Sequence, residues 1–298
     1  MGPTASGKSA VAEAVARRLG AAIVSVDSMQ VYRGMDIGTA KPGVAARREF
    51  DYRMIDLCDP EEDFTVAAFQ RAGREALEEL AGRPVVVVGG SGLHFRSLVD
   101  PLRFEPRDPM LAASLEHVDA EALVAELLAA DPAAPEHVDV ANPRRVARAV
   151  EILRLTGRGP SSRAATREAI AVRRYQPEVP FVGFGIDPGD ELRGRVTRRL
   201  EVMMAAGLLD EVASLAGRLS RTASQAVGYK ELLPVVAGER SEDEGVAAAM
   251  AATLALAKRQ RTFFGRDPRL RWLAWQDDPD AVAETIVATL EEDPVWTS

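Results

Sequence analysis

Residues 1–9 of the 298-residue chain read MGPTASGKS, and they indicate its fold class. It contains the pattern G-x-x-x-x-G-K-[ST], typical of a loop that cradles phosphate groups; the pattern is filled by Gly2, Gly7, Lys8 and Ser9. The apolar periodicity of residues 9–19 predicts a helix directly behind the loop. Backbone N–H groups at such a helix N-terminus form an anion site, so the sequence predicts phosphate binding there.

A strand normally precedes a phosphate-binding loop of this kind, but only Met1 stands before Gly2. Two explanations are open at this point. Either the natural start lies upstream of Met1, or the core lacks its first strand. The second explanation predicts a gap in the sheet.

Short apolar strands alternate with helical periods in the first part of the chain. Strands are predicted at 21–26, 53–57 and 85–88, with a second helix at 67–80. This alternation indicates a parallel sheet covered by helices on both faces. We therefore predict an α/β protein with a P-loop NTPase-like parallel sheet core.

The pattern changes after residue 108, where no strand is evident up to about residue 175. Helical periods occupy this segment, and strand character returns afterwards; the predicted elements are helices at 120–130, 145–155 and 164–174, a strand at 180–186, helices at 190–217, 228–237 and 243–264, a strand at 270–274 and a helix at 280–292. The sequence thus predicts a core of residues 1–107 and 177–298, interrupted by an all-helical insertion at 108–176.

The composition is that of a globular protein, with 47% hydrophobic and 28% charged residues. A single cysteine, Cys58, excludes an internal disulfide and is typical of a reducing cytoplasm. The sequence contains no run of 18 apolar residues, so it predicts no membrane span. We recognise no signal peptide in its first residues. We expect a cytoplasmic protein without a membrane partner.

The net charge of −8 hides a strong segregation of charge along the chain. Residues 142–174 hold nine arginines against two glutamates, and residues 258–271 hold six basic side chains against one aspartate. Two basic islands on an acidic background can form a track for a polyanion, although solvated Arg-rich helices are the simpler interpretation of either island alone.

Polar residues follow two of the predicted strands where each one ends. Asp27 follows the strand at 21–26, whereas the valine strand at 85–88 runs into Gly89-Gly90-Ser91 instead of a Walker-B acid. Carboxyl ends of parallel strands meet at one edge of a sheet, and paired glycines allow a ligand close to the backbone. We expect Asp27 and Ser91 to face the same crevice as the phosphate loop.

Six stretches together resemble the tRNA dimethylallyltransferase (tRNA isopentenyltransferase) family. They are GPTASGKS at 2–9, VDSMQVYRGMDIGTAKP at 26–42, VGGSGLHF at 88–95, NPRRVARAVEI at 142–152, AVGYKE at 226–231 and AKRQRTFF at 257–264. The resemblance extends over almost the whole chain in the same order, and DSMQVYRGMDIGTAKP is far more specific than the phosphate loop.

The resemblance implies transfer of the dimethylallyl group of dimethylallyl diphosphate to N6 of the adenosine immediately 3′ of a tRNA anticodon. It implies that the donor diphosphate is held by Gly2, Pro3, Thr4, Ala5, Ser6, Gly7, Lys8 and Ser9, with Mg²⁺ ligated by Ser9. Asp27, Ser91 and Lys8 would be catalytic: Asp27 as the general base, Ser91 as a hydroxyl between diphosphate and acceptor, and Lys8 as a cation on the leaving group. Gln30 would read the adenine edge.

The resemblance also implies a partner, the anticodon stem-loop of tRNA. The residues that would contact it are Asp27, Ser28, Met29, Gln30, Asn142, Arg144, Arg145, Gln225, Gly228, Tyr229, Lys230, Lys258, Arg259 and Gln260. Phe263 and Phe264 could stack on loop bases, but buried core aromatics are the simpler interpretation. We expect a monomer.

Three positions depart from the family pattern. Ser91 stands where the family usually has Thr, and His94 where it commonly has Tyr. After Asp108-Pro109 the family tends to carry an Arg, whereas this chain has Ala112.

Three alternatives to tRNA prenylation are open. A related transferase prenylates free AMP, ADP or ATP, but such a small acceptor does not need a helical insertion with nine arginines. A small-molecule P-loop kinase is disfavoured by the Gly-Gly-Ser strand end. A tRNA-binding protein without catalysis would bind the stem-loop with no turnover.

Overall fold

The computed structural model describes residues 1–297. It divides the chain into two compact units, of which one comprises residues 1–99 with the chain from 179 onward, and the other residues 100–178. The predicted helical insertion, 108–176, lies inside the second unit. None of the helices within the described residues combines the length and the apolar run that crossing a bilayer requires.

The first unit is a mixed α/β structure with five short strands in its described part. The strands are β1 (Ala22–Ser25), β2 (Tyr52–Arg53), β3 (Val85–Val88), β4 (Gly183–Ile186) and β5 (Leu270–Leu273). The helices are α1 (Lys8–Leu19), α2 (Val44–Glu49), α3 (Val66–Glu79), α4 (Gly92–Val99), α10 (Leu192–Ala205), α11 (Leu208–Leu215), α12 (Tyr229–Val236), α13 (Glu242–Phe264), α14 (Pro279–Glu291) and α15 (Pro294–Thr297); α5–α9 belong to the second unit.

All strand pairs are parallel, as the alternation of strands and helices predicted. β1 lies between β2 and β3, with Ile23 opposite Tyr52 and Ala22 opposite Val85. β4 pairs with β5 in a separate two-stranded sheet. Ala22, Ile23 and Val24 are fully buried, because a parallel strand between helices has two covered faces.

In the described part of the chain a gap separates β3 from β4. A cavity of about 410 Å³ is lined there by the four valines of β3 and by Val182 and Phe184. Met1 reaches the rim of this gap, where its amino group donates to the Phe184 carbonyl at 2.7 Å and its own carbonyl accepts from the Ile186 N–H at 2.9 Å. β4 therefore holds the backbone that leads directly into the phosphate loop.

The second unit contains five helices and no strand within the described residues. They are α5 (Pro109–Leu115), α6 (Ala120–Ala130), α7 (Pro143–Thr156), α8 (Pro160–Ala164) and α9 (Arg167–Arg173). The unit has its own apolar core, in which Leu115, Leu127 and Val150 are almost completely buried. The helix predicted at 164–174 begins only at Arg167, because Thr166 is not helical and caps α9 by accepting from the Ala169 N–H.

Two other predicted elements are wrong in the first unit. The strand predicted at 53–57 ends at Arg53, since Met54 and Asp56 adopt left-handed backbone conformations with φ of 66° and 54°. The single helix predicted at 190–217 is broken at Gly207, whose φ of 94° ends one helix and begins the next.

Candidate functional site

The phosphate loop turns into α1 through a left-handed glycine. Gly7 has φ 86° and precedes Lys8, the first residue of the helix, and it provides no side-chain cap for the free N–H groups of the first turn. These N–H groups point away from the helix and carry the positive end of its dipole. The first turn of α1 thus has backbone donors that no side chain of the cap occupies, and anion binding there stays a prediction.

A glutamine from a distant helix braces this loop. The Thr4 N–H donates to Oε1 of Gln260 on α13 at 2.7 Å. A Cβ atom at Gly90 would lie 2.5 Å from Nε2 of the same glutamine, so the end of β3 packs directly against it. Gln260 thus joins the phosphate loop to the glycine-rich end of β3.

Basic side chains of α10 form the wall opposite the phosphate loop. A cavity of about 690 Å³ is lined by Lys8 and Ser9 and by three arginines that sequence analysis missed, Arg195, Arg198 and Arg199. Their spacing of three and four residues places them on one face of a helix, and this spacing was the signal available in the sequence. The other side chains of α10 at the cavity, Val202 and Met203, are apolar.

Lys8 is a poorly solvated cation next to a second one. Its Nζ donates to the Pro3 carbonyl at 3.0 Å. Burial, together with the charge of Arg199, lowers the Lys8 pKa to about 8, while Asp27 acts in the opposite direction. Burial also lowers the pKa of the Arg199 guanidinium. Two desolvated cations at one loop favour an anionic ligand.

We expect the affinity for inorganic diphosphate to fall above pH 8, by up to about tenfold per pH unit. The Lys8 pKa of about 8 means that the free protein loses this charge as pH rises through 8. Diphosphate favours the charged form, so binding above pH 8 must take up a proton. Titration calorimetry between pH 7 and 9.5, in two buffers of different ionisation enthalpy, measures both effects.

The Lys8→Met variant is the matched control, since it retains only the pH dependence of diphosphate itself. Equal pH curves for the wild type and Lys8→Met would contradict the assignment of this titration to Lys8.

Asp27 lies beside the phosphate loop at the carboxyl end of β1, as predicted. Its Oδ1 accepts from the Met29 N–H at 2.9 Å, which fixes the carboxylate in a tight turn. Its negative charge raises the pKa values of Lys8, Arg199 and His94 against the effect of burial. Asp27 therefore lies close enough to all three groups for its charge to act on them.

The end of β3 brings Ser91 to the same edge of the sheet. The Ser91 N–H donates to the carbonyl of Val26 at 3.3 Å, and a Cβ at Gly89 would lie 2.5 Å from that carbonyl oxygen. Glycine at 89 is thus required for β3 to approach the residue next to Asp27. The prediction that Asp27 and Ser91 share one edge with the phosphate loop is confirmed.

The segment that follows Asp27 is held by internal hydrogen bonds. Gln30 is buried; its Oε1 accepts from the Ser25 hydroxyl at 2.8 Å, and its Nε2 donates to the carbonyls of Thr39 and Ala40. An adenine edge would have to displace these bonds, so the predicted reading of adenine by Gln30 stays a prediction. In this structure Gln30 fixes the loop that forms a wall of the cavity.

Glu211 of α11 fixes the backbone of the same loop at residues 36–38 by hydrogen bonds. Its carboxylate accepts from the backbone N–H groups of Asp36, Ile37 and Gly38 at 2.8 to 3.0 Å, and also from the Tyr229 hydroxyl. Tyr229 is fully buried, and a Cβ at Gly38 would lie 2.4 Å from its ring. The prediction that the Tyr229 side chain contacts tRNA is therefore wrong, because this side chain supports the loop.

Comparison with known proteins identifies the family to which this chain belongs. The family model described as IPP transferase matches residues 30–267, and a second model, Isopentenyl transferase, matches residues 1–54. The chain belongs to the IPP transferase family. The tRNA dimethylallyltransferase of Acidothermus cellulolyticus is 41% identical over 299 residues, covering 97% of this chain and 91% of that protein. The Streptomyces griseus relative of that name is 41% identical, covering 92% and 88%.

Solved structures of IPP transferases have the same fold. The tRNA isopentenylpyrophosphate transferase of Staphylococcus epidermidis is similar with a TM-score of 0.71 and 30% identity, over 98% of this chain and 97% of that one. A eukaryotic dimethylallyltransferase acting on tRNA gives a TM-score of 0.81 at 21% identity, over 98% and 77% of the chains, which is a likeness of fold alone.

The basic residues of this IPP transferase that were expected to contact tRNA are mostly exposed. Lys230 and Gln225 are joined by a hydrogen bond of 3.0 Å in an exposed position, and Lys258 and Arg259 are exposed on α13. Of the two phenylalanines at the end of α13, Phe264 is fully buried and Phe263 is 37% exposed, with its ring over Gly92.

In the helical unit of this IPP transferase, three predicted residues lie at the start of α7. Asn142 caps the helix by accepting from the Arg145 N–H at 3.3 Å. Arg144 and Arg145 are exposed, and the nearest carboxylate oxygen of Asp139 is 3.9 Å from Arg145. The two arginines are thus accessible to a polyanion, whereas the Asn142 side chain is used as the N-cap of α7.

The IPP transferase site fits a metal ion only together with a ligand. Within residues 1–297 no group of three or more His, Cys, Asp or Glu side chains could hold a metal ion. The Ser9 hydroxyl is exposed at the cavity beside Lys8. Because Mg²⁺ usually keeps several waters and binds through substrate phosphates with one or two protein ligands, Ser9 fits a Mg²⁺ shared with a bound diphosphate.

Proposed function

We propose that this protein transfers the dimethylallyl group of dimethylallyl diphosphate to N6 of the adenosine immediately 3′ of the anticodon in tRNA. The observation that carries the proposal is the cavity between the phosphate loop and α10, where cations and apolar side chains meet, with Asp27 beside the cations. The proteins named as tRNA dimethylallyltransferases, at about 40% identity over most of the chain, support the same reaction.

The chemistry of the cavity favours a prenyl diphosphate over a nucleotide. Lys8, Arg195 and Arg199 supply positive charge, while Ile37, Ala40, Val202, Met203 and Ala206 supply an apolar wall. A five-carbon chain with a diphosphate at one end matches this division into a charged and an apolar part. A nucleoside triphosphate would place a ribose and a base against the apolar wall, where burial of their polar groups is costly.

The proposed reaction is a displacement at C1 of the dimethylallyl group. The N6 lone pair forms the new C–N bond while the C–O bond to diphosphate breaks, and the proton lost by N6 goes to the Asp27 carboxylate. Lys8, Arg199 and the N–H groups of the loop stabilise the charge that grows on the departing diphosphate. Mg²⁺ bound with the diphosphate would add positive charge at the same leaving group.

The acceptor is proposed to be an anticodon stem-loop, whose adenosine must leave the base stack to reach Asp27. The exposed cations at Lys258, Arg259, Arg144 and Arg145 suit an RNA backbone. A free nucleotide offers no partner for nine arginines in residues 142–174. We also propose that the protein is a monomer and that it acts in the cytoplasm, where it would meet such an RNA.

A transfer assay tests the proposal. Labelled dimethylallyl diphosphate and Mg²⁺ are supplied with an anticodon stem-loop, a stem-loop carrying guanosine at the 3′-adjacent position, or AMP, ADP and ATP. The product is identified by nucleoside analysis. We expect a five-carbon adduct on the adenosine stem-loop alone. Brisk ATP hydrolysis without an RNA adduct would overturn the proposal in favour of a kinase, and stem-loop binding without an adduct would favour a non-catalytic protein.

Replacing Arg144 and Arg145 together by Ala is expected to weaken stem-loop binding and to flatten its salt dependence, by about one unit of slope for each phosphate that is no longer neutralised. Both side chains are exposed and without a close carboxylate, the nearest being 3.9 Å from Arg145. Filter binding between 50 and 300 mM salt gives the slope.

The matched control replaces Arg17 and Arg33 by Ala, two exposed arginines outside both basic islands that pair with Glu49 and Asp59. This control has the same charge change and should keep the slope of the wild type. A slope that is equal in all three proteins would rule out Arg144 and Arg145 as phosphate-binding residues.

A further inference from the structure

A short hydrogen bond joins Ser91 to His94 in the first turn of α4. Ser91 Oγ lies 2.6 Å from Nδ1 of His94. The ring is only 9% exposed and stands edge-on to Phe69, with the two ring centroids 4.6 Å apart. The histidine therefore has little freedom to turn away from the serine.

The imidazole in this pair is neutral at physiological pH. Burial lowers the His94 pKa to about 4, although the negative charge of Asp27 opposes the shift. A neutral imidazole has one nitrogen that accepts and one that donates. A hydroxyl can meet Nδ1 in either role, so the bond does not require a charged imidazole.

Serine at position 91 needs an external restraint to present its hydroxyl in one direction. Its backbone is fixed, because the Ser91 N–H donates to the Val26 carbonyl, next to Asp27. Its side chain has no branch at Cβ, so three staggered positions of Oγ are open to it. The bond to Nδ1 selects one of these positions.

We propose that His94 is a positioning residue, which holds the Ser91 hydroxyl in a single orientation beside Asp27 during the transfer. This inference rests on the proposed function, in which Ser91 lies between the diphosphate and the acceptor amine. His94 exchanges no proton with the substrate and acts only through Ser91. A methyl branch at Cβ of residue 91 would restrict the same rotation and make the histidine dispensable.

The test uses substitutions of His94 in three backgrounds. His94→Phe keeps a ring against Phe69 but removes the hydrogen bond, whereas His94→Asn places an amide near the position of Nδ1. In the wild-type background we expect His94→Phe to lower kcat by about five- to tenfold, the equivalent of one neutral hydrogen bond, with the KM for the stem-loop unchanged. His94→Asn should retain most of the rate.

The backgrounds separate positioning from packing. In a Ser91→Thr background, His94→Phe should cost less than about twofold, because the branched side chain restricts its own rotation. In a Ser91→Ala background it should cost nothing further. An equal loss in all three backgrounds, or no loss in the wild type, would overturn the proposal. Thermal unfolding of each variant shows whether it is folded.

A second measurement does not depend on turnover. The ¹⁵N chemical shifts of the His94 ring should change between the wild type and Ser91→Ala, and they should not change in Ser97→Ala, whose hydroxyl bonds the His94 carbonyl instead. Unchanged ring shifts in Ser91→Ala would overturn the pairing itself. A wild type with the expected shifts but no five-carbon adduct would overturn the proposed function and leave the pairing standing.

Discussion

Asp27→Asn is expected to lower the rate of prenyl transfer by about 10²- to 10⁴-fold, the usual contribution of a positioned general base. Asparagine has nearly the same shape, and its Oδ1 can still accept from the Met29 N–H that fixes this turn. It cannot take the N6 proton, and it removes the negative charge that Lys8 and Arg199 face. Single-turnover transfer to a stem-loop, with donor in excess, measures the chemical step.

Stem-loop affinity should change little in Asp27→Asn, because the exposed cations that suit the RNA backbone lie on other elements. Asp59→Asn provides the control: its carboxylate is exposed and pairs with Arg33, so the same substitution leaves transfer intact. A normal yield of modified adenosine from Asp27→Asn would remove this residue from the role of base.

Lys8→Met is expected to lower kcat by about 10²- to 10³-fold, which is the usual effect of removing one group that stabilises developing negative charge. The methionine side chain is of similar length but uncharged. Of the two desolvated cations at the loop only Arg199 would remain, so the donor KM should rise as well. Steady-state kinetics against dimethylallyl diphosphate separates the two effects.

Arg17→Met on the same helix is the matched control, since Arg17 is exposed and pairs with Glu49 at the far end of α1. Inorganic diphosphate should compete with the donor in the wild type and in Arg17→Met, but only weakly in Lys8→Met. Undiminished transfer by Lys8→Met would mean that the loop holds something other than the leaving group.

The parts of the site that depend on local patterns were predictable from the sequence. A glycine and a lysine at fixed spacing, followed by an amphipathic period, determine the loop and α1 within a dozen residues. Asp27 and Ser91 follow from the same reasoning, because each comes directly after a strand and parallel strands share one carboxyl edge.

The parts that depend on distant contacts were not predictable. Gln260 meets Thr4 across 256 positions of sequence, and Glu211 meets the loop at Gly38 across 173. The motif at 257–264 marked Gln260 for a contact with tRNA and gave no sign of its bond to the phosphate loop, and no local pattern marks Glu211. Tyr229 shows the limit most clearly, since a tyrosine next to an exposed lysine in a motif block suggests RNA contact, whereas packing under Gly38 and Glu211 places it in the core.

Residues 258–260 form one turn of α13 that contacts both solvent and the phosphate loop. Lys258 and Arg259 are exposed, and the next residue, Gln260, accepts a hydrogen bond from the phosphate loop. Under the proposed function, the RNA backbone would bind next to the residue that braces the donor site. A bound stem-loop would then change the affinity for the donor, and the donor would change the affinity for the stem-loop by the same factor.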